Sequence, residues 1–215
     1  MDPARSQADA LCGVIAGIHR RGWCEGTGGN FSCVKREQPL ELLMAPSGVD
    51  KGDLEPNDLI VVDANGAVIE GAGKASAETQ LHLAIVTSTG AKAVLHTHSQ
   101  SATLLSRQAC PPGQMEGGIT ITGLEMLKGL EGFTTHTSAI TVPVLANDQD
   151  LARLSLAATP HLERAPYGLL IAGHGLYAWG ASLASAKRHL EILEFLLEQT
   201  WRERLLESNH QGATR

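Results

Sequence analysis

Two histidines separated by one residue, His96-Thr97-His98, close an apolar run that begins at Ala93. Such a run reads as a β-strand, where successive side chains alternate faces, so both imidazoles point the same way with Cα atoms about 6.6 Å apart. Two imidazoles on one face can meet at a single ion. Zn²⁺ takes His nitrogens at about 2.0–2.1 Å, and a catalytic centre leaves at least one position open for water or substrate, so a third ligand is required. His174 is the best candidate: Gly173 and Gly175 flank it in a tight turn at the end of a strand, and glycine permits backbone angles and close approaches that other residues resist. Hydrogen-bonded core histidines would give the same pattern, and the residues alone leave both readings open.

Two glutamates are candidates for acid–base work. Glu78 falls in the first turn expected of a helix, where the macrodipole favours a carboxylate even without chemistry. Glu125, in Gly123-Leu124-Glu125-Met126-Leu127-Lys128-Gly129, has apolar neighbours; a desolvated carboxyl there has a raised pKa and suits general acid or base catalysis. The alternative is a solvated glutamate paired with Lys128 three residues on. Two turns could hold an anion through exposed N–H groups: Thr27-Gly28-Gly29-Asn30, and Pro46-Ser47-Gly48-Val49-Asp50-Lys51 with its cation. The start of the helix after Ser76 offers a third wall. GxGxxG, GxxxxGK[ST] and G-x-S-x-G are all absent, so neither a dinucleotide site, a P-loop nor a hydrolase elbow has motif support.

These groups need a frame, and the chain is large enough to supply one. Its 215 residues are 43% hydrophobic and 19% charged, which excludes a disordered chain and allows a sizeable core. With 17 Lys plus Arg against 23 Asp plus Glu, the net charge is −6 and no basic block occurs, which argues against nucleic acid or an anionic membrane as partner. The longest weakly polar stretch, from Tyr167 to Gly180, is too short to span a bilayer, for which roughly 20 residues are needed. The first nine residues lack a positive start followed by an apolar run, so a cytoplasmic location is expected. Cys12, Cys24, Cys33 and Cys110 form no C-x-x-C pair and are expected to be reduced and buried.

Periodicity predicts a first helix carrying Leu11, Val14, Ile15 and Ile18, and short strands at 31–34, 40–45, 59–63 and 67–69, the last two joined through Asn65-Gly66. A helix capped by Ser76 spans 77–89, followed by the strand 93–98 and a helix over 99–108. Beyond a Pro-rich turn come a short helix at 123–129, a strand at 140–145, a helix at 148–159 and strands at 168–172 and 176–179. A long helix capped by Ser182 follows, with a polar tail from Ser208 to Arg215. The expectation is one α/β domain over 1–215 in three layers: a mixed, largely antiparallel central sheet with helices on both faces.

Taken in order, Gly28-Gly29-Asn30-Phe31-Ser32, Ala45-Pro46-Ser47-Gly48, Ser76-Ala77-Glu78, His96-Thr97-His98 and Gly173-His174-Gly175-Leu176-Tyr177-Ala178-Trp179-Gly180 resemble the class II aldolase family of metal-dependent sugar-phosphate enzymes. Ser47-Gly48-Val49-Asp50-Lys51-Gly52 and Glu125-Met126-Leu127-Lys128-Gly129 are similar to the family's water-eliminating branch, which acts on 5-methylthioribulose 1-phosphate in methionine salvage. The resemblance implies one Zn²⁺ per subunit, or another divalent transition metal, held by His96, His98 and His174. It implies Glu125 as the proton donor and acceptor, and phosphate contacts at Gly29, Asn30, Ser47, Gly48 and Ser76, with Lys51 as an extra partner. At Glu78 the branches differ, so its implied role is open between second acid/base, substrate contact and loose ligand. A homotetramer with its active site near a subunit boundary is also implied. Two rivals stand beside this reading: an aldolase or 4-epimerase on the same scaffold, and an adducin-like binding module without catalysis.

Overall fold

Adjacent residues along the strands bury on opposite sides of one sheet. Leu43, Val61, Leu95, Val144, Leu170 and Ala178 join one apolar cluster, while their chain neighbours Leu42, Val62, Val94, Leu145, Leu169 and Tyr177 join another. The period of two leaves both faces apolar, and each must be covered by helices. In the computed structural model, which describes residues 3–212, the elements run α1 (Pro3–His19), β1 (Asn30–Glu37), β2 (Leu40–Met44), β3 (Ile60–Asp63), β4 (Val68–Glu70), α2 (Thr79–Thr89), β5 (Ala93–Thr97), α3 (Gln100–Ala109), β6 (Glu116–Thr122), β7 (Ala139–Leu145), α4 (Leu151–Leu162), β8 (Gly168–Ile171), β9 (Gly175–Gly180) and α5 (Leu183–Gly212). Short 3-10 helices occupy Pro56–Asp58 and Glu125–Gly129.

The nine strands form one sheet in the order β4-β3-β2-β1-β5-β9-β8-β7-β6. Every neighbouring pair is antiparallel except β7 with β8, which α4 connects as a parallel crossover. Helices α1, α3 and α5 cover one face, and α2 and α4 the other. The result is the three-layer α/β architecture expected, with β5 and β9 side by side at the centre of the sheet.

Several boundaries differ from expectation. Strand β6 was not anticipated: Gly117 and Gly118 dilute its β signal, and full-length pairing with β7 decides it. Helix α4 begins at Leu151, three residues after the expected start, because Asp150 caps it by accepting from the Arg153 N–H. Helix α5 continues to Gly212, past the expected start of the polar tail at Ser208, and 213–215 lie outside the described residues. All four cysteines are free and buried, and burial pushes the Cys33 thiol up to about 12, so it has little thiolate character. Among the described residues no helix is long and apolar enough to cross a membrane.

Candidate metal centre

Alternation along β5 sends Ala93, Leu95 and Thr97 toward α5, and Val94 and His96 toward α2. His98 lies one residue past the last ladder pair, its N–H bound to the Trp23 carbonyl at 2.7 Å, and its ring returns to the His96 side. The neighbouring β9 starts at Gly175, immediately after His174, so the β5–β9 pairing delivers the third imidazole to the same place. The Nε2 atoms of His96 and His98 are 2.8 Å apart, and those of His96 and His174 3.4 Å. Four nitrogens placed tetrahedrally around an ion at about 2.0–2.1 Å would be separated by about 3.3–3.4 Å, so this donor set fits a metal ion.

Glu78, on the residue just before α2, is the fourth group. Its Oε1 is 2.9 Å from His174 Nε2 and its Oε2 is 3.8 Å from His96 Nε2, and one ligand atom from each of Glu78, His96, His98 and His174 lies within 4.8 Å of the others. Burial acts to raise the Glu78 carboxyl, but the hydrogen bond from His174 and the nearby imidazoles outweigh it and hold the group at about 2, fully ionised at neutral pH. Asn30, opposite His96 in the β1–β5 register, donates its side-chain N–H to Glu78 Oε2 and fixes that carboxylate.

Protonation states favour metal binding. Burial pushes His96 well below the usual histidine range, and burial with the nearby His174 lowers His98, leaving neutral rings with lone pairs to donate. His96 Nδ1 lies 3.0 Å from the Leu176 carbonyl, which assigns the proton to Nδ1 and turns the Nε2 lone pair into the cluster. Tyr177, paired with His96 across β5 and β9, stacks on the imidazole with ring centroids 3.9 Å apart. Nothing in the spacing singled out Tyr177; only the register of two distant strands places it under the ring.

The cluster opens into a cavity of about 450 Å³. Gly29, Asn30, Ser47, Gly48, Ser76, Glu78, His98 and His174 all line it, so both glycine-rich turns and the start of α2 form its rim. Gly29 has φ +80°, and a Cβ there would lie 2.9 Å from the His96 carbonyl oxygen, so this turn packs tightly on the ligand strand. Asn147, Asp148 and Gln149, expected at or near the start of a helix, instead line the cavity from the loop before α4.

Two of the expected site residues lie elsewhere. Lys51 is 1% exposed and its Nζ donates to the carbonyls of Thr27 (3.2 Å), Pro46 (3.4 Å) and Val49 (2.9 Å), so it ties the two rim turns together and does not line the cavity. Burial lowers its pKa, with Cys24 and Asp50 opposing. Glu125 is not desolvated: its side chain is 71% exposed and accepts from Lys128 Nζ at 2.6 Å, a bond that lowers the carboxyl. Its 3-10 turn packs on the α5 face, where Leu127 is buried in the cluster and a Cβ on Gly129 would strike Ile192, while the histidines point to the other face. Within one chain Glu125 does not join the metal cluster.

A family model described as Class II Aldolase and Adducin N-terminal domain matches residues 9–201. The chain belongs to this family. Among its relatives, the methylthioribulose-1-phosphate dehydratase of Serratia proteamaculans (strain 568) is 42% identical over 205 residues, covering 94% of this chain and 97% of that protein. A protein of the same name from Picosynechococcus sp. is 42% identical over 90% of this chain and 91% of its own length. Among solved structures, L-fuculose-1-phosphate aldolase from Thermus thermophilus superposes with a TM-score of 0.74 at 26% identity, over 95% of this chain and 98% of that one. The family members that share this fold therefore include both an aldolase and dehydratases by name, so the fold alone does not fix the reaction.

Proposed function

We propose that the chain is a metal-dependent hydro-lyase that removes water from 5-methylthioribulose 1-phosphate to give 2,3-diketo-5-methylthiopentyl 1-phosphate. The observation that carries the reading is the convergence of His96, His98, His174 and Glu78, the last three of which line a cavity rimmed by turns rich in N–H and hydroxyl groups. Relatives bearing the dehydratase name over nearly the whole chain select the reaction. Zn²⁺ suits three imidazoles, one ion per subunit, and when bound it would supply Lewis acidity toward the C2 carbonyl and C3 hydroxyl oxygens.

The protein's own residues then do three things. The turns at Gly28–Asn30, Ser47–Gly48 and Ser76 receive the phosphate and fix the sugar chain relative to the histidines. Glu78, ionised and held by Asn30, adds a carboxylate beside the imidazole cluster. Glu125 takes the C3 proton; the C3–H electrons form a double bond, and the C4–OH bond breaks as the same carboxyl returns its proton to the departing hydroxyl. The resulting enol tautomerises to the diketone. Since Glu125 lies on the α5 face of its own chain, a second copy supplies it, and a homotetramer with sites at subunit boundaries provides that copy. Positioned acid–base catalysis is worth about 10²–10⁴-fold.

A product mass spectrum of metal-loaded protein with 5-methylthioribulose 1-phosphate tests the reaction. Loss of one water supports elimination. Two smaller carbonyl fragments would instead indicate retro-aldol cleavage, the reading favoured by the likeness to a fuculose-phosphate aldolase. Unchanged mass with inverted C4 would indicate an epimerase, and unreacted substrate with no bound metal a binding module.

A further inference from the structure

Glu194 is 1% exposed in the middle of α5, flanked in sequence by Leu193 and Phe195 and buried alongside Leu190, Leu193 and Leu197. A buried carboxyl is costly, and an apolar residue would pack such a helix face as well, so its presence needs a partner that explains it. Among the described residues no cation neutralises it: in the cavity beside it, Arg21 is paired with Glu191 and Arg202 with Glu198. Its Oε1 instead accepts from the Thr97 hydroxyl, the Ser99 hydroxyl bears on the same carboxyl, and Oε2 has no partner.

Thr97 is the residue between His96 and His98. It is also the last β5 residue in the ladder, so the backbone that orients His98 leaves the sheet there. The Cα of Gly175, next to His174, packs so closely on the Thr97 carbonyl that a Cβ would overlap it. Ser99 caps α3, and Thr103 of that helix donates its hydroxyl to the His174 carbonyl at 3.1 Å. All three histidines are thus attached, within a residue or two, to groups that Glu194 grips from the far side of the sheet.

We propose that Glu194 is a positioning residue for the metal ligands, anchoring Thr97 from the α5 face so that the imidazoles keep their aim on the other. The inference rests on the metal-site reading above. Burial raises the carboxyl to about 7, with Glu198 adding to the shift and the Ser99 and Thr97 bonds opposing it, as expected of a group kept for its hydrogen bonds. Groups that fix ligand orientation from behind typically change metal affinity by about 10–100-fold when lost.

The test is Zn²⁺ affinity of the full-length protein, measured by competition with a chromophoric chelator well below the melting temperature, for wild type, Glu194→Gln, Glu194→Ala and Thr97→Val. Glu194→Ala and Thr97→Val are expected to bind Zn²⁺ about tenfold or more weakly, whereas Glu194→Gln, which still accepts from Thr97, stays near wild type. A residue that only supports packing would lower the melting temperature and leave Zn²⁺ affinity unchanged. Wild-type affinity in Thr97→Val, or a Gln variant as impaired as Ala, would overturn the proposal; Thr97→Val decides the matter if Glu194→Ala does not fold. Absence of Zn²⁺ binding by wild type would refute the metal-site reading itself, a separate outcome.

Discussion

Replacing Glu194 by Gln should remove a pH dependence of stability that the buried carboxyl creates. The folded carboxyl titrates at about 7, against its ordinary 4.5, because burial disfavours the ionised form and Glu198 adds to the effect. Glu191 and Glu25 line the same cavity with Arg21 and Arg202, while Thr97 hydrogen-bonds the group from β5 and Ser99, at the cap of α3, lines the cavity beside it. Because the folded value exceeds the unfolded one, the native state retains a proton that the unfolded chain releases. That contribution is complete below about pH 4.5 and is lost as pH rises through 7. At about 1.4 kcal/mol per tenfold in proton affinity, the total is about 3 kcal/mol, most of which disappears between pH 5 and 8. Gln keeps an acceptor for the Thr97 hydroxyl and has no proton to lose. Denaturant unfolding of wild type and Glu194→Gln at matched protomer concentration, from pH 5 to 8, isolates this carboxyl, since other titrations are shared. The stability of the variant relative to wild type should rise by that amount across the window. A flat difference would show that the native state holds no extra proton at Glu194 and would refute the reasoning.

Other expectations follow from the same geometry. His96→Ala, His98→Ala and His174→Ala should each lose bound metal, read by elemental analysis of the purified protein, together with turnover; a metal-replete, active His96→Ala/His98→Ala double variant would remove the site. Glu125→Gln should keep its metal while kcat falls by about 10²–10⁴-fold, and near-normal turnover would pass the proton-transfer role to Glu78. Mixing Glu125→Gln subunits with His96→Ala subunits should restore activity that neither has alone, because mixed boundaries pair an intact cluster with an intact Glu125; no recovery in proven mixed oligomers would place both groups in one chain's site. Gly175→Ala forces a methyl into the Thr97 carbonyl and should cost about 1–3 kcal/mol in unfolding experiments, as overpacking does, with weaker metal binding; unchanged values would mean that β9 can shift away freely.

Local signals settled much of this molecule before any fold was available. The period of two along the apolar strands, the period near 3.6 in α1 and α5 and the glycines that end elements depend on a few neighbouring residues, and such features are present in the chain itself. The same locality explains why His96 and His98 were readable as a pair and why Ser99 was found at the start of α3, which it caps, whereas α2 begins at Thr79 with Glu78 at its cap position, two residues after the start expected from Ser76. It also explains the misses. Strand β6 exists through its pairing with β7, the carboxylate of Glu125 is solvated because its 3-10 turn lies on the outside of α5, and Lys51 turns inward because three carbonyls from two separate turns converge on it. Residue types and short-range spacing determined which groups could bind a metal and which elements would carry them. The β5–β9 register, which brings His174 across the intervening chain to His98, and the two-faced sheet, which puts Glu78 beside the histidines, Glu194 behind them and Glu125 out of reach of its own chain's cluster, were decided only by tertiary structure, because burying both apolar faces at once is a property of the whole chain.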